Sequence, residues 1–383
     1  MTPNEIDDLI KALLRGDVVA WPPEAGEEIQ DLFVHRARYH GVSALLHDRW
    51  SPPSNWPQKI FDALRLEALG RGMWELRHQH VLGRLITALA ERGVAPLLFK
   101  GTALAYDLYP NPVWRSRGDT DILVAAEDIQ ACREVLAAQG FERGFALPGE
   151  DVSYQDNWTL MASEGSAHSI DLHRRINNSE LLSQLFTYDE LRSSCRPISS
   201  LCSGAVAVSH VHALLLACMH RAVHKQCPYY ADGIAHYSGD RLIWLYDILL
   251  VSKSLTESEW GQFLHLAQSK GLAGTCLDGL QQTRQALGAT TPEFVMSGLS
   301  VGPSQDRASA YLSSSEVRQV WLNFRAIEGL SRKAAFLKEV VFPPEAYMRE
   351  KYADANTGVL FRLYARRAFA GVAKRFQRRR QTS

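Results

Sequence analysis

Three aspartates carry the most chemistry in the sequence. Asp119 and Asp121 stand one residue apart in Gly-Asp-Thr-Asp-Ile-Leu-Val (118–124), and Asp171 is flanked by Ile170 and Leu172. Side chains on an extended strand alternate between faces, so Asp119 and Asp121 project together and Thr120 projects the other way. Carboxylates held that close repel, and one is driven to take up a proton unless a cation lies between them. Magnesium, with manganese as the alternative, prefers hard oxygen ligands and is held by one or two carboxylates together with substrate phosphates. If the Asp171 strand lies beside the Asp119 strand, three acids converge. That arrangement serves two metal ions ~3.5–4 Å apart in a phosphoryl displacement.

The complement to these acids is Lys100-Gly101-Thr102, which follows one apolar run and opens a helix. Backbone N–H groups at a helix start favour an anion, and glycine lets a phosphate come close. Lys100 adds a point charge and Thr102 a hydroxyl, while Arg115 and Arg117 stand where they could neutralise a triphosphate. Asp107 falls within the helix and reads as solvated. Each piece alone also has a structural reading: Asp-Thr-Asp as a turn or cap, Asp171 and His173 as a surface pair. Their combination is far less easily produced by chance. Towards the C-terminus, His220 and His224 lie one turn apart and share a helix face. They read first as packed histidines, with a place beside the nucleotide or acceptor as the alternative. Arg241 and Asp247 could reach the site from the same region. Cys218, His220, His224 and Cys227 match no standard zinc-finger spacing.

The elements that must position these residues follow from periodicity. The first 93 residues read as helical: Ile6, Leu9, Ile10, Leu13 and Leu14 form one face, and a long helix runs from about residue 58 to 92, with Gly93 as its stop. Ala-Pro-Leu-Leu-Phe-Lys-Gly, Asp-Thr-Asp-Ile-Leu-Val-Ala and His-Ser-Ile-Asp-Leu-His-Arg read as strands, with a helix over residues 127–140 between the second and third. The expectation is an α+β, mixed fold, with a small mixed sheet as its core at residues 94–205. It is flanked by N-terminal (1–93) and C-terminal (206–350) helical regions and followed by a basic tail (351–383). Residues 297–315, rich in Ser, Gly and Pro, read as a loop or partly ordered linker.

Composition narrows the class. The 383 residues are 46% hydrophobic and 22% charged, as in an ordinary globular protein. No apolar run approaches the ~20 residues of a membrane helix. The start lacks the build of a signal peptide, and six scattered cysteines without a Cys-x-x-Cys pair read as reduced thiols, so a cytoplasmic location is expected. Residues 355–383 hold eight Lys/Arg and no acid, leaving a net of −8 for residues 1–354. In that tail Tyr364, Phe369 and Phe376 alternate with arginines, a mix suited to nucleic acid or an acidic surface, or to a solvated helix with a frayed basic end.

The segment from Leu97 to Val124 resembles an uncharacterised bacterial nucleotidyltransferase family of the DNA polymerase β-like superfamily. The match rests on Lys100, Gly101, Leu108, Tyr109, Pro110, Arg115, Gly118, Asp119, Asp121 and Val124. It is supported by Asp171 with His173, by His220 and His224, and by Trp244, Leu245 and Asp247. Thr102 stands where the broad pattern has Ser or Gly, and Thr120 where the family has Ile. The resemblance implies a metal-dependent transfer of NMP from an NTP, ATP among them, to an acceptor hydroxyl, with Asp119, Asp121 and Asp171 as ligands and catalytic groups. It leaves the acceptor open among tRNA, protein, sugar and small molecules. A non-catalytic nucleotide- or nucleic-acid-binding module, or a partner in a toxin–antitoxin pair or biosynthetic cluster, stands as the alternative.

Overall fold

The computed structural model describes residues 1–49, 55–144, 148–149, 152–163, 165–225, 229–231, 234–236, 239–301, 307–312, 314–352 and 360–367. Four helices lead: α1 (Pro3–Arg15), α2 (Glu27–His40), α3 (Ser43–Arg49) and α4 (Gln58–Glu91). The α1 start is a capping box between Thr2 and Glu5, and Gly16 closes it in the left-handed conformation. The central block runs β1 (Leu97–Phe99), α5 (Lys100–Asp107), β2 (Asp119–Leu123), α6 (Ile129–Ala138), β3 (Glu142–Arg143), β4 (Gln155–Met161), β5 (Ala167–His173), α7 (Glu180–Ser183), α8 (Tyr188–Ser193), β6 (Arg196–Pro197) and β7 (Val206–Ala207). Then come α9 (His210–His224), the β8 (Tyr229–Ala231) and β9 (Ile234–His236) hairpin, α10 (Leu242–Ser254), α11 (Glu257–Ser269) and α12 (Ala273–Leu287), with further helices as far as Lys351.

The seven strands form one mixed sheet in the order β3-β4-β5-β2-β1-β7-β6, so the fold is α+β with helices on both sides of the sheet. Strands β2 and β5 are parallel, with Asp121 opposite Asp171; β1 is antiparallel to β2 and parallel to β7, and β4 is antiparallel to both its neighbours. Opposed residues share a face, so Phe99, Asp121, Asp171 and Asn157 form one row across four strands.

Each face has its own core. The front places Leu97, Phe99 and Leu123 in a cluster with α1, α2, α9, α10 and α12, so N-terminal and C-terminal helices share one apolar interior. The back packs Leu98, Ile122, Ile170 and Leu172 against Leu82, Leu85 and Ile86 of α4 and Val135 and Leu136 of α6. The two ends of the chain also meet at Gly41. Its φ is +71°, and a Cβ there would lie 2.8 Å from the Arg241 guanidinium, which donates from Nε to the Tyr39 carbonyl (2.6 Å). Arg241 is thereby committed to joining α2 and α10.

Six of the nine strands among the described residues escape sequence reading: β3, β6 and β7 span two residues each, β8 and β9 fall in a region read as helical, and in β4 only Trp158 and Leu160 mark an apolar side. The stretch 297–315 is not all loop: one helix extends to Ser300 and another covers Arg307–Leu312. Asp107 is not solvated but ends α5 in ion pairs with Arg196 and His210. The five described cysteines are free. Cys227, Phe369 and Phe376 lie outside the described residues, whereas the Tyr364 hydroxyl donates to the Pro343 carbonyl (2.6 Å). Among the described residues no helix is long and apolar enough to cross a membrane.

Behind β2 runs a buried polar network. Arg117 donates to Glu75 of α4 (2.6 Å) and to the Thr102 hydroxyl (2.9 Å). Thr102 and Thr120 share a hydrogen bond (2.8 Å), and Thr120 meets His78 Nε2 (2.7 Å). The Tyr106 hydroxyl also donates to Glu75 (2.6 Å). Glu75→Ala would strand a buried guanidinium, so a loss of about 3–5 kcal/mol in urea unfolding is expected. Glu75→Gln, which keeps an acceptor for Tyr106, should lose less.

Candidate active site

The site is built from strand ends and one turn. Parallel pairing sets the Asp171 carboxylate beside that of Asp121, and His173, two residues on, joins them on the same face. Ligand atoms of Asp121, Asp171 and His173 lie within 4.8 Å of one another. Asp119 stands outside that trio, at the exposed rim, because two residues of strand span ~6.6 Å.

Lys100 is the cation of the group. Its Nζ donates to Asp121 Oδ1 (2.5 Å), which is also 2.9 Å from His173 Nε2. Its φ of +59° is the only positive value among the described non-glycine residues. Such backbone is sparsely populated and persists where surroundings over-determine it. It turns the chain sharply from β1 into α5. Gly101 follows inside the helix start, where an added Cβ would meet the Arg115 and Arg117 side chains only at 3.5–3.6 Å.

Charge crowding separates the three carboxylates. Burial raises Asp121, but Lys100 and His173 together hold it far below the usual range. Asp171 is pushed up to about 7, first by burial and then by Asp119 and Asp121. Asp119 is raised by burial and by Asp121, and its carboxylate makes no hydrogen bond or ion pair among the described residues. Burial, then Lys100, lowers His173 against the pull of Asp121. An unpaired carboxylate next to a second that resists ionisation, with the His173 imidazole beside them, fits a divalent cation.

Two residues escaped sequence reading. Gln155 and Asn157 of β4 donate to the two oxygens of Asp171, at 2.5 and 2.8 Å, and so fix its orientation. The trace they leave is polar residues at 155, 157 and 159, a period of two interleaved with Asp156, Trp158 and Leu160.

The remaining expected residues divide. Arg115 is buried and pairs with Asp247 of α10 through Nε (2.8 and 2.9 Å) and a terminal nitrogen (2.8 Å), while the Tyr109 hydroxyl donates to the same carboxylate (2.7 Å). This clamp docks α10 against the Lys100 turn. Arg117 and the Thr102 hydroxyl belong to the network behind the sheet. Arg241 is held by Tyr39. His220 and His224 stack on each other (4.3 Å between centroids) and on Trp244 (5.6 and 5.9 Å). They are packed, yet His220 also lines a narrow cleft with Lys100, Leu104 and Trp244. Burial, then His224 and Lys100, drives the His220 imidazole well below its usual value. Cys218 faces Gly279 of α12, with its sulfur 2.9 Å from the Cβ position there.

The chain matches the family described as uncharacterised nucleotidyltransferase over residues 27–288, and it belongs to that family. No curated protein matches it.

A pH effect follows from Asp171. Its carboxyl is raised in the folded state from 3.8 to about 7, so the native protein binds the extra proton between those values. Stability therefore falls as pH rises through that window. With cations chelated, thermal unfolding of wild type should drop towards neutral pH relative to Asp171→Asn, whose amide cannot ionise. Adding magnesium should reverse the difference.

Proposed function

We propose that the protein transfers a nucleoside monophosphate from an NTP to an acceptor hydroxyl and releases pyrophosphate. The observation that carries this reading is the parallel β2–β5 register, which opposes Asp121 to Asp171 beside the Lys100-Gly101 turn. Family membership supports the same class of reaction.

Asp119, Asp121 and Asp171 are the residues that would hold a divalent cation. Bound there, such an ion supplies positive charge against the phosphates. The chain's own groups supply the rest. The N–H groups at Gly101 and Thr102 bind phosphate oxygens, and the Lys100 ammonium offsets their charge. Arg117, committed to Glu75, supports this turn from behind, while Arg115 lines the cleft beside Lys100 with its charge met by Asp247. The acceptor oxygen attacks the α-phosphorus, and the bond from that phosphorus to the leaving pyrophosphate breaks. The acceptor's proton passes to the Asp171 carboxylate. Gln155 and Asn157 keep its lone pairs aimed.

Purified protein with labelled NTPs and pools of RNA, protein and small molecules tests the reading. Label should transfer in magnesium and disappear with Asp119→Ala/Asp121→Ala. Asp171→Asn should slow transfer at least ~100-fold. Equal nucleotide-dependent activity in the double variant would reject these roles. Nucleotide binding without transfer would leave the binding-module alternative.

Gly101→Ala tests the packing of this turn. The added methyl would meet the Arg115 and Arg117 side chains at ordinary contact distance, 3.5–3.6 Å, and alanine favours the helix, so melting temperature should hold or rise.

A further inference from the structure

We propose that the outer face of α4 is a homodimer interface, in which two copies lay this helix antiparallel about a two-fold axis beside residue 71. Leu66, Leu69, Met73 and Leu76 are 71%, 56%, 76% and 73% exposed. Their spacing of three, four and three places them in one stripe, the pattern with which a helix meets another helix. Single exposed apolar residues are ordinary, whereas a contiguous stripe of this kind marks an interaction face. Among the described residues, nothing covers it.

The residues beside the stripe favour a helix as the occupant. Gly70 and Gly72 flank it on opposite sides, and a Cβ at either would meet nothing within 4 Å. Glycine weakens a helix interior relative to alanine, and no neighbour within the described chain needs these two. Bare backbone on both flanks lets a second helix approach closely.

Charge selects which helix and in which direction. Asp62 and His80 lie on the line of the stripe, one step beyond each end, and both are exposed. Two copies of α4 running antiparallel about residue 71 oppose Leu66 to Leu76, Leu69 to Met73 and Asp62 to His80. The stripe is then sealed at both ends by a carboxylate facing an imidazole, which can donate a hydrogen bond to it. The Gln58 amide takes one oxygen of Asp62 (3.1 Å), leaving the other for the partner. A parallel pair would instead place Asp62 on Asp62. The face is thus complementary to itself in one direction. Since α4 covers the back of the sheet, both clefts stay open.

Sedimentation of the full chain over a dilution series tests this. Wild type should show twice the 42.9 kDa of one chain and dissociate on dilution. Leu69→Glu/Met73→Glu should sediment as a single chain and melt where wild type melts once diluted to single chains, because both side chains are solvent-facing in one copy. Asp62→His should weaken association about ten-fold, and Asp62→His/His80→Asp, which rebuilds the opposed pair, should restore it. A single-chain mass at every concentration, or a dimer that survives the double glutamate variant, overturns the proposal. Failure of the charge swap to restore pairing overturns the antiparallel arrangement. A single chain in which a Met73→Cys thiol resists labelling assigns the face to another part of the same chain, and also overturns it.

Discussion

The parallel register of β2 and β5 is the constraint on which the site depends. Pairing Asp121 with Asp171 forces two carboxylates together on the front face and brings Asp119 and His173 onto the same surface. A slip of one residue would turn the acids into the apolar back and the leucines and isoleucines into the cleft. The buried row of Leu98, Ile122, Ile170 and Leu172 therefore holds the charges in place, because its removal from water is what fixes the register. Repulsion among the acids is the consequence, and it is answered unevenly. Lys100 and His173 attend to Asp121, amides attend to Asp171, and Asp119 is left for whatever comes from outside.

Strand β2 is the hinge between two polar systems. In front are the carboxylates. Behind, Thr120 connects through Thr102, Arg117 and His78 to Glu75 of α4. A buried network of this kind is stable only when its members are satisfied, and then it fixes a single arrangement. It ties the turn at Gly101 to the long helix, while Arg115 and Asp247 tie the same turn to α10. The two arginines look from sequence like reagents for a triphosphate, and each is instead paired within the protein. Their positive charge still reaches the cleft, since Asp119 feels both.

The narrow cleft beside Lys100 is bounded on the α9–α10 side by His220 and Trp244, whose rings pack edge to face at 5.6 Å. Burial, then His224 and Lys100, drives the His220 imidazole well below its usual value.

Much of this was legible in the residues themselves. The 3.6-residue rhythm of α1 and α4, the apolar runs of β1, β2 and β5, the glycine stop at Gly93 and the same-face projection of Asp119 and Asp121 follow from local geometry, which sequence encodes directly. Strand β4 was not legible, because Asp156 interrupts its core-facing side and only Trp158 and Leu160 mark the alternation. The pairing of Thr102 with Thr120 illustrates the difference. Each alone departs from the resembling pattern, yet in the fold the two hydroxyls meet and complete one network. Sequence determined which groups could repel, donate or bind a cation. Tertiary structure decided which of them face one another, because partner choice depends on register and burial between segments far apart in the chain.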